Sequence, residues 1–441
     1  MLEADCITSI LPPKTEKIFI AYSGGVDSHV LLHLAALNDE LKENITAVYV
    51  HHGLQVEADA WADHCQSIAL GLGLKFKCLK VNIEKTSGHS LEELARDARY
   101  QAITALVDSD DVVLFAQHRE DQMETVLLQL FRGAGVQGLS GMPLTIPFGK
   151  GLLCRPFLDV SKRLIDDYAI ENQLSWVEDP SNKSNDFDRN FLRNQIVPKL
   201  KQKWPSLDKT VTRSARHCVQ VQHLSEDVAK QLFSQICDKS DHSLNIAQLL
   251  ELDIYKQSLV IRQWFKVKQL RMPSEKIFQG IINEVVNAKE SANPEIRGRG
   301  YSIKRYRNKL FCLTSDNRNK QYCEQLWKLN SRELELKDGS KLVLSESIEG
   351  IPRLLWETAE VRVRFRQGAE KIRLPGREGR HTLKKLYQEK AIPPWQRSSI
   401  PLVYLDNDLV AVAGLWISAD FFSQKKEPCY QVNWLNTSNE Y

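Results

Sequence analysis

Near the start of the chain, Ser23-Gly24-Gly25-Val26-Asp27-Ser28 combines two glycines with two hydroxyls and a carboxylate. Adjacent glycines let a backbone turn tightly and approach a ligand without side-chain obstruction. A helix following such a turn offers unpaired N–H groups and the positive end of its dipole, a natural seat for an anion. Ser23 and Ser28 add hydroxyl donors. Asp27 would repel a bare phosphate and instead suits Mg2+ or a cationic substrate. No Gly-Lys-Ser/Thr occurs, so this is not the loop used for γ-phosphate transfer. The plainer reading is a glycine turn before an N-cap serine or aspartate, common in α/β proteins.

A second cluster is Gln117-His118-Arg119-Glu120-Asp121-Gln122-Met123-Glu124-Thr125. Asp121 and Glu124 are three residues apart and share a face if the segment is helical. His118, at the preceding strand end, can point into the same cleft. An acidic helix start stabilised by its dipole is the simpler alternative for this segment alone.

The elements that must position these groups alternate between strand and helix. Ile18–Tyr22, Ile45–Val50, Phe76–Val81 and Val112–Ala116 read as strands. Between them, His29–Leu37, Asp59–Leu72 and Leu91–Val107 carry helical spacing. The pattern predicts an α/β fold with an open, Rossmann-like parallel sheet, whose ligands bind beyond the carboxyl ends of the strands. Both clusters fall there. From about Asp208 the chain turns mainly helical, with strands at Tyr301–Tyr306 and Lys309–Leu313 and a polar loop at 316–321. From about 340, short strands dominate: Lys341–Leu344, Val361–Phe365, Leu402–Leu405 and Leu409–Leu415. Three domains are expected: a catalytic domain over 1–207, a mainly helical domain over 208–335 and a small α+β domain over 336–441.

Composition narrows the class. With 441 residues and 42% apolar content, the chain can fill several cores. Its nine cysteines form no C-x-x-C pair, which signals neither a zinc ribbon nor a thioredoxin-like site and suits a reducing cytoplasm. No run approaches the ~20 apolar residues of a membrane span, and no basic signal region opens the chain. A soluble, cytoplasmic protein is expected.

A net charge of +3 demonstrates no nucleic-acid partner, but the charge is concentrated. Arg297, Arg299, Lys304, Arg305, Arg307 and Lys309 surround Tyr301 and Tyr306. Arg362, Arg364, Arg366, Lys371, Arg373, Arg377, Arg380, Lys384 and Lys385 form a second segment opposed locally by Glu370 and Glu378. Arg362, Arg364 and Arg366 alternate and would share one face of a strand. Such faces suit phosphate contacts to RNA, or simply protect strand edges.

The hexapeptide Ser23–Ser28 resembles the PP-loop of the ATP pyrophosphatase class, which cleaves between the α- and β-phosphates and transfers AMP. The resemblance sharpens when His118–Thr125, the following Phe131-Arg-Gly-Ala-Gly-Val-Gln-Gly-Leu-Ser-Gly-Met142, and Arg155–Leu200 are taken together. The last stretch contains Arg155-Pro156, Glu178-Asp179-Pro-Ser181-Asn182 and Arg189-Asn190-x-x-Arg193. With the segment from Gly368 onward, these are similar to the tRNA(Ile)-lysidine synthetase family at both ends of the chain. Glu120 departs from the aspartate usual there.

That resemblance implies an ATP-dependent ligase, releasing AMP and pyrophosphate, that attaches L-lysine to C2 of the wobble cytidine in an isoleucine tRNA with a CAU anticodon. ATP would be held by Ser23, Gly24, Gly25, Val26, Asp27 and Ser28, with Asp27 the candidate Mg2+ ligand. Asp27, Asp121 and Glu124 are the expected catalytic and lysine-recognising carboxylates, and Arg96 or Arg99 could face the phosphates or the lysine carboxylate. Arg189, Asn190, Arg193, Arg364, Arg366, Lys371, Arg373, Arg377, Lys384 and Lys385 are the expected tRNA contacts, although Arg189, Asn190 and Arg193 could equally order their own segment. A homodimer is one assembly this reading admits. A tRNA thiolation enzyme, which commonly needs paired cysteines, an amidotransferase-type synthetase and a non-catalytic tRNA-binding protein are the alternatives.

Overall fold

A strand buried on both faces must be apolar at successive positions, and Ile18–Ala21 (β1) is the clearest example. Its alternating side chains feed two cores: Ile18 and Ile20 join one, Phe19 the other. In this computed structural model, which describes residues 2–53, 58–82, 91–180, 184–289, 292, 294–314, 323–424 and 427–435, β1 lies at the centre of a six-stranded sheet. It pairs in parallel with Ile45–His51 (β2) and Val112–Leu114 (β4), and β2 pairs in parallel with Lys75–Lys80 (β3).

The first core is closed by the helices Val26–Ala36 (α1), Ala58–Gly71 (α2) and Lys162–Glu171 (α5). Leu31, Cys65 and Ile165 enter it from these helices. Leu91–Thr104 (α3) contributes Ile103 to the second core. The open, largely parallel α/β sheet expected from the strand–helix alternation is therefore present. Thr145–Phe148 (β5) and Gly151–Cys154 (β6) extend it as an edge hairpin that the sequence pattern did not reveal, giving the order β3-β2-β1-β4-β6-β5. β5 runs antiparallel and is largely exposed, so it lacks the continuous apolar run of its neighbours.

The chain leaves β1 toward β2 on one side and reaches β4 on the other. The crevice beyond β1 and β4 is thus the topological switch point, the ligand site of open α/β sheets. The loop after β1 leads into α1. The segment after β4 leads into Arg119–Phe131 (α4). A short helix, Asp188–Phe191 (α6), then runs through a π-helical turn, Leu192–Ile196, into Val197–Lys203 (α7).

Two compact units are distinguishable, Met1–Ser225 and Glu226–Tyr441. In the second, Trp264, Phe265, Ile282, Val285, Tyr301 and Leu310 form a core under a four-stranded antiparallel sheet. Separate cores around Trp327, Trp356 and Val403, and around Leu383 and Tyr387, underlie a five-stranded and a four-stranded antiparallel sheet and a small two-stranded one. Ser181, Asn182 and the expected polar loop at 316–321 lie outside the described residues. Among the described residues, no helix is long and apolar enough to cross a membrane.

Candidate active site

Gly24 makes the turn after β1 with φ +83°, a left-handed conformation that glycine adopts without steric cost. Its carbonyl accepts the Val177 N–H at 3.0 Å, and an added Cβ would stand 3.0 Å from Cys65 Sγ. Gly25 is extended and caps α1, so the helix begins at Val26, three residues before the apolar spacing alone predicts. Asp27 and Ser28 are consequently in its first turn. Ser28 Oγ accepts the Ser23 N–H at 3.2 Å, donates to Gly25 O at 2.9 Å and lies 3.1 Å from Ser23 Oγ. These bonds close the loop around the helix start, where N–H groups have no partner within the helix.

His118 joins this loop to the second cluster. It is 5% exposed, with Nε2 3.8 Å from Asp27 and 3.4 Å from Asp121, and Nδ1 3.4 Å from Glu120. Burial pulls the imidazole pKa down, but Glu120, Asp121 and Asp27 together outweigh it and the net shift is upward. Asp121 accepts the His118 N–H at 3.1 Å, satisfying a donor at the start of α4. Burial would raise the Asp121 pKa; His118 and Arg193 overcome that and hold it low.

Glu120 has a structural position that its longer arm makes intelligible. Its Oε2 accepts the Lys162 backbone N–H at 2.9 Å and its Oε1 lies 3.3 Å from Lys201 Nζ, tying α4 to α5 and α7. Burial opposes ionisation, yet His118, the Lys162 amide and Lys201 lower the pKa to about 2. A depressed carboxylate stabilises the fold above its unfolded pKa, near 4.5, and that contribution disappears as pH falls toward 2. The stability gap between the protein and Glu120→Gln, read by urea denaturation, should therefore narrow between pH 5 and pH 3. A constant gap would show that the carboxylate charge is not what matters.

Arg193, on the π-helical turn, grips both helix carboxylates. Its Nε and Nη2 each lie 2.7 Å from the two oxygens of Glu124, and Nη2 also lies 2.7 Å from Asp121. Arg189 Nη2 donates to Thr125 Oγ1 at 2.6 Å, with its Nε 3.5 Å from Glu124, and Asn190 is half-buried beside it. Of the two roles open to these arginines, ordering their own segment is the one with visible contacts.

Lys162, which was not singled out from the sequence, and Arg155, which was noted there only as part of the Arg155-Pro156 motif, complete the crevice. Lys162 Nζ lies 2.6 Å from Asp27 and 3.0 Å from Asp166. Arg155 is 5% exposed, donating to Pro143 O at 2.7 Å and to Gln117 Oε1. Arg96 is exposed and stacks over Tyr100 at 5.3 Å, while Arg99 is half-buried near His52. Burial and Arg99 lower the His52 pKa to about 4. Among the described residues, no group of three or more His, Cys, Asp or Glu side chains could hold a metal by itself.

The basic segments of the second unit are less available than their composition suggests. Arg305 is buried and donates to Val286 O and Ala288 O, and Lys309 pairs with Asp238 and Asp241. The strand Val361–Arg364 does present Arg362 and Arg364 on one face, but it ends before Arg366. Sequence-distant acids supply counter-charges that the local count missed. Arg364 lies 3.2 Å from Glu324 and stacks over Tyr404, Arg373 lies 2.7 Å from Asp420, and Arg377 lies 2.7 Å from Glu389. Arg366 lies 3.7 Å from Glu370, whereas Lys371, Lys384 and Lys385 are exposed.

Comparison with known proteins agrees with this layout. Residues 3–200 match the family model of a PP-loop domain, 244–311 that of the TilS substrate binding domain and 361–434 that of the TilS substrate C-terminal domain. A tRNA(Ile)-lysidine synthase from Methylococcus capsulatus is 36% identical over 94% of this chain and 95% of its own. One from Photobacterium profundum is 38% identical over 99% and 100%. The chain belongs to the tRNA(Ile)-lysidine synthase family. A U34-tRNA thiolase from Methanococcus maripaludis shares 15% identity over 49% of this chain and 78% of its own at a TM-score of 0.42, too slight a likeness to carry argument. In this tRNA(Ile)-lysidine synthase family member, Ser23–Ser28 and the carboxylates Glu120, Asp121 and Glu124 all fall within the region that matches the PP-loop domain.

Proposed function

We propose that this protein is an ATP-using, tRNA-modifying ligase that makes lysidine at the wobble cytidine of an isoleucine tRNA with a CAU anticodon. The observation that carries the reading is His118, which stands between Asp27 of the loop and Asp121 of the carboxylate cluster and so makes them one site. In the first step the C2 carbonyl oxygen of cytosine attacks the α-phosphate of ATP, and pyrophosphate leaves along the loop. The modified oxygen is then a good leaving group. The side-chain amine of L-lysine attacks C2, AMP departs with that oxygen, and the amine loses its proton.

The amine must be neutral to attack, although its ordinary pKa is about 10.4. Asp27, Asp121 and Glu124 recognise the cation, and Asp121 or Glu124 accepts the proton. Because Arg193 holds both of the latter, its grip must loosen when the amine arrives. Asp27 is also the residue suited to Mg2+. A single carboxylate beside nucleotide phosphates is a common Mg2+ arrangement, the phosphates and water supplying the other ligands. The ion would contribute neutralisation of phosphate charge.

Incubation with ATP, Mg2+ and labelled lysine should label an isoleucine CAU transcript and leave a methionine CAU transcript unlabelled. Label in neither, or equally in both, would refute the assignment.

Residues 208–335 and 336–441 would then hold the tRNA, the latter through Arg364, Arg366, Lys371, Arg373, Arg377, Lys384 and Lys385. The exposed lysines should contribute most, because several of the arginines are already paired. Replacing Lys384 and Lys385 by alanine should weaken tRNA binding and reduce the salt dependence of the binding constant by about one power of salt per lost phosphate contact. An unchanged salt slope would remove these lysines from the interface.

A further inference from the structure

Lys162 presents a cation to the loop that the reaction sequence above leaves unused. It is the first residue of α5, and its ammonium bridges two carboxylates: Asp27 at 2.6 Å, in the first turn of α1, and Asp166 at 3.0 Å, one turn along its own helix. Asp27 sits where a diphosphate would be seated, and its negative charge opposes that anion. It is also the loop's own carboxylate, able to receive a substrate ammonium.

We propose that Lys162 is a positioning residue that stands in for the substrate lysine's ammonium on Asp27 until that substrate arrives. The proposal rests on the loop being the pyrophosphate seat. While Lys162 occupies Asp27, the loop's carboxylate is neutralised and nucleotide can bind first. When the ε-ammonium of free lysine takes Asp27, the Lys162 ammonium stays beside the loop on Asp166, available to the departing diphosphate. The two ammonium groups have the same charge, size and donor geometry, so one can replace the other without rebuilding the site. Glu120 bonds the Lys162 backbone N–H rather than its side chain, so substitution of the side chain leaves that link between α4 and α5 in place.

The stand-in role predicts effects of opposite sign in Lys162→Met. Losing the cation beside the loop should weaken binding of inorganic pyrophosphate, measured by calorimetry in EDTA, by roughly tenfold, the scale of one charge-assisted contact. Losing the competitor at Asp27 should lower KM for lysine severalfold at saturating ATP and tRNA. Lys162→Arg should restore pyrophosphate affinity, and in an Asp27→Asn background Lys162→Met should no longer lower the lysine KM. Lys162→Gln serves as a second neutral variant should the methionine protein fail to fold. A rise in both constants would mark a merely structural residue and overturn the proposal. So would pyrophosphate binding indifferent to Lys162, or a lysine KM that does not fall. If the unaltered protein binds no pyrophosphate, it is the loop assignment itself that fails.

Discussion

Glu124→Ala is expected to stop lysine transfer, lowering its rate on the order of a hundredfold or more, while nucleotide affinity stays within a few fold. Glu124 is 2% exposed and accepts from Arg193 Nε and Nη2, with Arg189 Nε 3.5 Å away, so truncation leaves the Arg193 guanidinium with Asp121 and deprives Arg189 of an acidic neighbour. Removing one partner of a buried pair costs about 3–5 kcal/mol. The partial exposure of Arg193, whose side chain is 39% accessible, places this case toward the lower end. Glu124→Gln keeps an acceptor for Arg193 and should recover much of the stability without recovering lysine transfer. Stability and transfer returning together in the glutamine variant would mean that Glu124 only holds the fold. Unchanged lysine kinetics in both variants would remove it from the site.

Gly24→Ala should damage the loop by two separable routes. The backbone at φ +83° costs a non-glycine residue roughly 1–3 kcal/mol, and the new Cβ would crowd Cys65 Sγ at 3.0 Å. If the strain is relieved by leaving the closed loop, ATP affinity falls by about 5- to 150-fold, at 1.36 kcal/mol per tenfold. Adding Cys65→Ala removes the contact but not the dihedral strain, so the double variant should recover only part of the loss. Gly25→Ala is the control: its backbone is ordinary and an added Cβ meets only Ser23 Oγ, at 3.6 Å, so thermal stability should hold. Full recovery in the double variant would show that crowding, not the turn, explains the glycine.

These two positions also illustrate how much could be read from the sequence. The loop and the Asp121–Glu124 pair are local signals, since glycine pairs and a three-residue spacing need no knowledge of the fold. β1, β2 and β4 were legible because a strand covered on both faces is apolar throughout. The β5–β6 hairpin was not, because an exposed edge strand carries no such run. For a different reason, Lys162 was not expected in the site, and Arg193 was expected to meet tRNA or order its own segment rather than to grip Asp121 and Glu124. They lie 135 residues from Asp27 and 69 from Glu124, and the contact exists only once α5 and the π-helical turn have packed against the sheet. The same limit misjudged the basic segments. Asp420 and Glu389 neutralise arginines that appear unopposed when only neighbouring residues are counted.

The decisive chemistry lies at one bond of the nucleotide, between its α- and β-phosphates. Radiolabelled ATP, supplied with isoleucine CAU transcript, L-lysine and Mg2+, should yield AMP and pyrophosphate in step with lysine incorporated, and neither product should accumulate when the transcript is omitted. ADP and orthophosphate in their place would contradict it, because a loop that grips a departing diphosphate cannot also release a single phosphate.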